Sequence, residues 1–163
     1  MPLGARAWHA GRSSWQGRDA CNDYSIGIEC EGTDDVPYAD AQYVTLGALL
    51  PRLLDAYPQI TRERIVGHSD VAPGRKEDPG ELFPWHALAK RRLALPSPTR
   101  DLVDPYWTDA GFLLALERFG YDVTDSQKAV IAFQRRFRPD TIDGIVDGEC
   151  RAKLLALLLP RPQ

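Results

Sequence analysis

The most informative segment of this chain reads Gly67-His68-Ser69-Asp70-Val71-Ala72-Pro73-Gly74-Arg75-Lys76-Glu77-Asp78-Pro79-Gly80. Its prolines and glycines predict a loop of restricted flexibility. His68 and Asp78 lie ten positions apart in it, and imidazole with carboxylate suits a borderline cation such as zinc. Lys76 is placed to face a developing oxyanion. The spacing alone equally fits a solvated loop, so the zinc hypothesis depends on other motifs.

A second informative segment is Tyr24-Ser25-Ile26-Gly27-Ile28-Glu29-Cys30-Glu31. Apolar and polar residues alternate in it, which predicts a strand with one buried face. Glu29 falls on the polar face, from which a carboxylate could take a proton from a metal-bound water. The alternative for Glu29 is an exposed strand residue without a chemical role.

The rest of the first part is predicted to be helical or irregular. Helical spacing of apolar residues over 40–57 predicts a helix that is kinked or split at Pro51. Residues 61–67 suggest a turn leading into a short strand, and 85–95 a short helix. Leu95-Pro96-Ser97-Pro98-Thr99 has the composition of a linker.

Beyond the linker the pattern predicts three short helices. Thr108 is the expected N-cap of the first, Thr124 or Asp125 of the second, and Asp147 of the third. The fold class is therefore predicted as α/β, a mixed sheet with flanking helices, plus a small all-α three-helix domain.

Composition limits the possible functions. The chain has 163 residues, 44% hydrophobic and 26% charged, with a net charge of −3. This is typical of a folded soluble protein and argues against a nucleic-acid partner. No apolar run is long enough for a transmembrane segment, and the start lacks the apolar core of a secretory signal. The three cysteines have no metal-binding spacing, which indicates buried or free thiols.

Three motifs occur in order: Ala7-Trp8-His9-Ala10-Gly11, then the alternating segment from Asn22 to Glu29, then the loop from Gly67 to Gly80. Together they resemble the zinc-dependent N-acetylmuramoyl-L-alanine amidase family, the type-2 amidases related to peptidoglycan recognition proteins. The resemblance is to the AmpD- and AmiD-like subgroup, and it extends over about residues 5–88.

The resemblance implies a function and a site. The reaction would be hydrolysis of the amide between N-acetylmuramic acid and L-alanine in peptidoglycan or muropeptides, with Zn²⁺ held by two histidines and an aspartate. His68 and Asp78 match two of these ligands. Glu29 matches the catalytic base and Lys76 the lysine that steadies the tetrahedral intermediate. Trp8 and His9 match a motif at the substrate groove.

One departure from the family pattern is serious. The first zinc histidine of the family lies on an early strand, well before the motif that begins here at Ala7. We therefore expect an N-terminally truncated catalytic domain at residues 1–94, without its first strand, and a linker at 95–104. We also expect weak zinc binding and little activity of this chain, unless His9 supplies the absent ligand.

The last third shows a second resemblance. Val130-Ile131-Ala132-Phe133-Gln134-Arg135-Arg136-Phe137, followed by the Asp143-Gly144 turn, resembles the three-helix peptidoglycan-binding domain of cell-wall hydrolases. The domain is expected at residues 105–163, where it would tether the enzyme to its polymer. The sequence also suggests wall contacts for Tyr121, Gln134 and Arg138.

Two functions remain open at this point. One is a catalytic amidase; the other is a non-catalytic peptidoglycan-binding protein or an inactive amidase fragment. The expected partner is peptidoglycan or a muropeptide, bound by a monomer. The appended domain favours the periplasm or cell envelope, with any signal in the missing N-terminal part, and the cytoplasm is the alternative.

Overall fold

The computed structural model describes residues 5–32 and 36–159. Its two strands are β1 (Ser14–Trp15) and β2 (Arg18–Asp19). Its helices are α1 (Asp40–Ala56), α2 (His68–Val71), α3 (Trp85–Lys90), α4 (Asp109–Phe119), α5 (Ser126–Phe137) and α6 (Gly148–Leu158). Short 3₁₀ helices lie at Cys21–Asp23 and Arg62–Arg64. The described part of the chain is thus a mixed α/β structure, and no helix in it is both long and apolar enough to cross a membrane.

The two strands form an antiparallel hairpin in which Ser14 pairs with Asp19 and Trp15 with Arg18. The turn residues Gln16 and Gly17 have φ of 52° and 72°, the left-handed conformation that tight hairpin turns require. This hairpin directs the Trp15 side chain into the protein core.

The predicted strand over Tyr24–Glu31 is wrong for the described structure. The segment is irregular, and Ile28, which was expected on the buried face, is 37% exposed. A strand exists only where a neighbouring strand pairs with it, and nothing in the described ranges pairs with this segment. The short strand expected within 61–67 is also absent, and a 3₁₀ turn at Arg62–Arg64 precedes non-strand backbone there.

The predicted first helix is confirmed, but it runs through Pro51 without a break. Proline has no N–H, so the carbonyl four residues earlier, on Gly47, loses its helical donor. Arg91 replaces that donor, with Nη2 2.7 Å from the Gly47 oxygen. An external hydrogen bond therefore satisfies the carbonyl that the proline leaves unpaired.

Two apolar clusters hold the described part together. The smaller packs α1 against the region around α3, through Leu46, Leu50, Phe83, Leu88, Leu93 and Ala94. The larger combines residues of the first part, including Ala10, Trp15, Cys21 and Val71, with the cores of α4, α5 and α6. The last three helices therefore share one hydrophobic core with the segment that carries His68.

The three helices α4, α5 and α6 are capped as predicted. Thr108, Asp125 and Asp147 each accept a hydrogen bond from a backbone N–H in the first turn, at distances of 2.9 to 3.2 Å. We call residues 109–158 the helical module. The stretch that precedes it is packed against it: Leu95 is buried, and Ser97 Oγ donates to the Phe137 carbonyl.

The side chains suggested as wall contacts are buried, so that suggestion is wrong. Tyr121, Gln134 and Arg138 all lie inside the protein, Gln134 with 0% exposure. Gln134 donates from Nε2 to Asp143 Oδ1 at 2.8 Å and accepts from the Gly144 N–H at 2.8 Å. The glutamine of the Phe-Gln-x-x-Phe pattern thus fixes the Asp-Gly turn.

The shared core predicts that the described parts unfold together. Phe133 is fully buried against Phe112, Tyr121 and Phe137, so Phe133→Ala should lower the free energy of unfolding by about 3–5 kcal/mol. Urea titration followed by tryptophan fluorescence should show one transition, shifted to lower urea. The control Leu114→Ala, at a side chain 68% exposed, should change stability by less than about 0.5 kcal/mol. Two separate transitions would contradict the shared core.

Candidate functional site

The structure brings His68 and Asp78 together. His68 begins α2, and its Nδ1 lies 2.9 Å from Asp78 Oδ2. The Ser69 N–H donates to the Asp78 carbonyl at 2.9 Å, which joins the two sides of the loop through the backbone. The loop therefore folds back so that two side chains ten positions apart become neighbours.

The two nitrogens of the His68 ring have different neighbours. Nε2 lies 3.2 Å from the Ala10 carbonyl oxygen and 3.4 Å from Arg75 Nη2, so it donates to the first or accepts from the second, depending on the tautomer. Nδ1 lies 2.9 Å from Asp78 Oδ2. Two electron-rich atoms so close need a proton or a metal cation between them. In the tautomer with its proton on Nε2, the ring would donate to the Ala10 carbonyl and present Nδ1 to a metal.

This pair fits zinc as two of its protein ligands. Imidazole nitrogen and carboxylate oxygen each bind zinc at roughly 2.0–2.2 Å, so neighbouring ligand atoms lie roughly 3.3–3.6 Å apart around a tetrahedral ion, a little farther than the 2.9 Å between Nδ1 and Oδ2 here. A catalytic zinc site has three protein ligands. Within residues 5–32 and 36–159, no group of three or more His, Cys, Asp or Glu side chains is arranged to hold a metal ion.

The position of the Ala10 carbonyl depends on the buried Asn22 and on the exposed Arg75. The buried Asn22 accepts from the His9 and Ala10 N–H groups through Oδ1, at 3.0 and 2.8 Å. Arg75 donates from Nε to the Arg12 carbonyl at 3.0 Å, and its Nη2 contacts the Ala10 oxygen. Sequence reasoning missed Arg75 and Asn22, although both lie inside the quoted motifs.

Glu29 and Lys76 are not joined to the pair by any hydrogen bond or ion pair among the described residues. Glu29 is exposed in the irregular segment, and Lys76 is half-buried, with its N–H bonded to the Ala72 carbonyl at 3.1 Å. Their predicted roles stay predictions.

Trp8 and His9 lie at the start of the described chain. Trp8 is 78% exposed, and the Arg6 guanidinium lies 4.2 Å from its ring centroid. His9 packs on the backbone of Gly27, and its Nε2 lies 2.8 Å from Ser25 Oγ. The His9 ring is thereby engaged with the segment before Glu29 and forms no ligand group with His68 and Asp78 in the described structure.

Asp70 is the acidic residue that sequence reasoning overlooked. It is 1% exposed, and both carboxylate oxygens accept hydrogen bonds: Oδ2 from the Gly67 N–H at 2.7 Å and Oδ1 from the Tyr121 hydroxyl at 2.6 Å. Burial raises the pKa of Asp70, and Arg136 and the Tyr121 hydrogen bond oppose that rise. An aspartate three residues after the helix N-cap is a sequence signal for the bond from the Gly67 N–H. No sequence signal points to the bond from Tyr121.

Comparison with known proteins gives one family. The family model described as N-acetylmuramoyl-L-alanine amidase matches residues 1–81. The 1,6-anhydro-N-acetylmuramyl-L-alanine amidase AmpD of Escherichia coli is 55% identical over 85 residues, 52% of this chain and 46% of that protein. The N-acetylmuramoyl-L-alanine amidase AmiD of Escherichia coli is 38% identical over 182 residues, 97% of this chain and 65% of that protein. The chain thus spans about half the length of AmpD.

Two solved structures match nearly all of the chain. The complex of Escherichia coli AmiD with anhydro-N-acetylmuramic acid-L-Ala-D-gamma-Glu-L-Lys is 36% identical, with a TM-score of 0.85 over 97% of this chain and 70% of that one. AmpDh3 from Pseudomonas aeruginosa is 35% identical, with a TM-score of 0.83 over 96% and 70%. The likeness therefore includes the helical module.

Asn22 should be needed for the local structure of the site. In Asn22→Ala two backbone N–H groups lose their acceptor, and each buried unpaired donor costs about 1–3 kcal/mol. We expect the free energy of unfolding to fall by about 2 kcal/mol or more in urea titrations. The control Gln59→Ala, at an exposed position, should be nearly neutral. Equal stability of the two variants would show that Asn22 does not hold this segment.

Proposed function

We propose that this chain, which belongs to the N-acetylmuramoyl-L-alanine amidase family, uses zinc to hydrolyse the amide between N-acetylmuramic acid and L-alanine in peptidoglycan or muropeptides. The observation that supports this proposal is the distance of 2.9 Å between His68 Nδ1 and Asp78 Oδ2. The other ring nitrogen of His68 lies 3.2 Å from the Ala10 carbonyl oxygen. The AmiD relative was solved with a muropeptide of this class, which supports the substrate.

The proposed roles of the residues follow from their chemistry. His68 and Asp78 would hold the zinc, which when bound supplies the Lewis acidity that polarises the scissile carbonyl. With its proton on Nε2, His68 would donate to the Ala10 carbonyl and bind the metal through Nδ1. Glu29 would accept a proton from the attacking water, and Lys76 would donate to the oxygen that gains negative charge.

The substrate surface is proposed to begin at Trp8 and His9. The exposed indole of Trp8 offers a flat apolar surface, and Arg6 beside it offers a cation. A muropeptide carries both a sugar ring and peptide carboxylates, which these two kinds of group can contact. We place the reaction in the periplasm or cell envelope, where peptidoglycan is polymeric, with the cytoplasm as the alternative.

A second candidate function is binding of a muropeptide without cleavage. The observation that favours it is that the described residues bring only two metal ligands together and form no group of three. The two candidates share the binding surface and differ in zinc affinity and turnover. Zinc binding and turnover, measured on the wild-type chain and on a few variants, therefore distinguish the two candidate functions.

The experiment uses the full chain with its two ligand positions changed singly. His68→Ala and Asp78→Ala should each weaken zinc binding at least about tenfold in competition with a chromogenic chelator, because each removes one of few ligands. Release of the peptide from an anhydro-muramyl tripeptide, followed by chromatography, is expected to be slow in the wild-type chain, where only two ligands come together, and should fall to background in both variants.

His86→Ala is the matched control, since His86 is exposed on α3, outside the proposed site. It should retain zinc affinity and turnover. Substrate binding by the wild-type chain with no zinc-dependent turnover would support the second candidate instead. Failure of the wild-type chain to bind either zinc or substrate would refute both.

A further inference from the structure

Residues 67–81 form the loop that carries the proposed zinc ligands. This loop is held by α5 and by Tyr121, which lies between α4 and α5 in the helical module. We call residues 67–81 the ligand loop. Its first contact with the module is the bond from the buried Tyr121 hydroxyl to Asp70 Oδ1 at 2.6 Å. Asp70 is only two positions after His68, so this bond acts on the same turn of helix as the proposed ligand.

The second interaction is electrostatic and acts on Asp70 without a direct bond among the described residues. Arg136 of α5 is buried. Burial lowers the pKa of its guanidinium to about 10, and the negative charge of Asp70 acts in the opposite direction. The guanidinium therefore stays protonated at neutral pH. Its Nη2 donates to the Leu95 carbonyl at 3.1 Å, and its plane lies 3.5 Å from the centroid of the Trp85 ring. This cation is therefore fixed in place and compensates the buried carboxylate.

The third contact lies at the other end of the ligand loop. Arg135 of α5, with a side chain 12% exposed, places Nε 2.8 Å from Glu81 Oε1 and Nη2 3.5 Å from Glu77 Oε1. Glu77 directly precedes Asp78. Arg135 and Tyr121 thus bind the loop next to both proposed ligands, one on each side.

The fourth contact is steric and falls in the middle of the loop. The Lys128 side chain of α5 lies across Gly74, where an added methyl group would be 2.0 Å from Lys128 Cδ. Gly74 also has φ of +70°, a conformation that favours glycine. The loop and the helix therefore also meet closely at Gly74, between His68 and Asp78.

From these interactions we infer that the helical module is a structural part of the metal site, in which Tyr121 and Arg135 are positioning residues for His68 and Asp78. A glycine- and proline-rich loop does not hold two ligands at 2.9 Å without support, and α5 supplies that support. The module thus has a role within the catalytic domain besides any tethering to polymer. The catalytic meaning of this inference rests on the proposed function.

The main test is Tyr121→Phe in the full chain, with Tyr106→Phe as the matched control. The first variant removes only the hydroxyl that binds Asp70; the second removes a hydroxyl from a tyrosine that is 86% exposed. The measurement is amide hydrogen exchange by NMR at Ser69, whose N–H binds the Asp78 carbonyl, and at Leu50 in α1. Zinc affinity is measured on the same samples.

In Tyr121→Phe we expect Ser69 exchange to accelerate at least about tenfold more than Leu50 exchange, and zinc affinity to fall about fivefold or more. Tyr106→Phe should change neither. A general loss of stability would accelerate amide exchange equally at Ser69 and Leu50, and that result would overturn the inference. An exchange rate at Ser69 equal to that of the wild-type chain would overturn it as well.

If Tyr121→Phe does not fold, Arg135→Gln tests the same inference. Its control is Arg118→Gln, at an exposed position of α4. Arg135→Gln removes only partly exposed ion pairs and should accelerate Ser69 exchange several-fold, whereas the control should not; equal exchange in the two would overturn the inference. Failure of the proposed function would appear differently, as a wild-type chain without zinc binding or turnover, and the exchange data would still decide the role of α5.

Discussion

The buried carboxylate of Asp70 is the constraint on which much of the described structure depends. A carboxylate with 1% exposure is stable only if its oxygens are bound and a cation lies near. Gly67 and Tyr121 bind the two oxygens, and Arg136 supplies the charge. Since Tyr121 is 51 positions away, this requirement joins two distant parts of the chain. Removal of any one partner would leave a buried polar group uncompensated.

The same constraint explains the organisation of the candidate site. Asp70 orders the turn that begins with His68, while the Ser69 N–H holds the backbone of Asp78. The remaining ring nitrogen of His68 is directed to the Ala10 carbonyl, whose own position depends on Asn22. A metal site works best when its ligands are arranged before the ion binds. Here that arrangement comes from backbone groups and buried polar side chains outside the ligand pair.

The relation of the helical module to the rest of the chain follows from packing. Trp15 of the hairpin makes edge-to-face contacts with Phe119 and Tyr121. Arg135 and Lys128 cover the ligand loop from α5. The AmiD and AmpDh3 structures match nearly the whole chain, module included, so this packing of the module against the loop lies within the part that resembles them. A shared core and a shared ion-pair surface make the module part of one folded unit.

The sequence by itself determined the family, the reaction expected from it, the pairing of His68 with Asp78, and helices with clear caps such as Thr108, Asp125 and Asp147. These features depend on local motifs and short-range hydrogen bonds. Only the tertiary structure decided that residues 24–31 are not a strand in the described part, because a strand depends on its neighbour. It also decided that Tyr121 binds Asp70, because a hydrogen bond between side chains 51 positions apart leaves no periodic signal in the sequence.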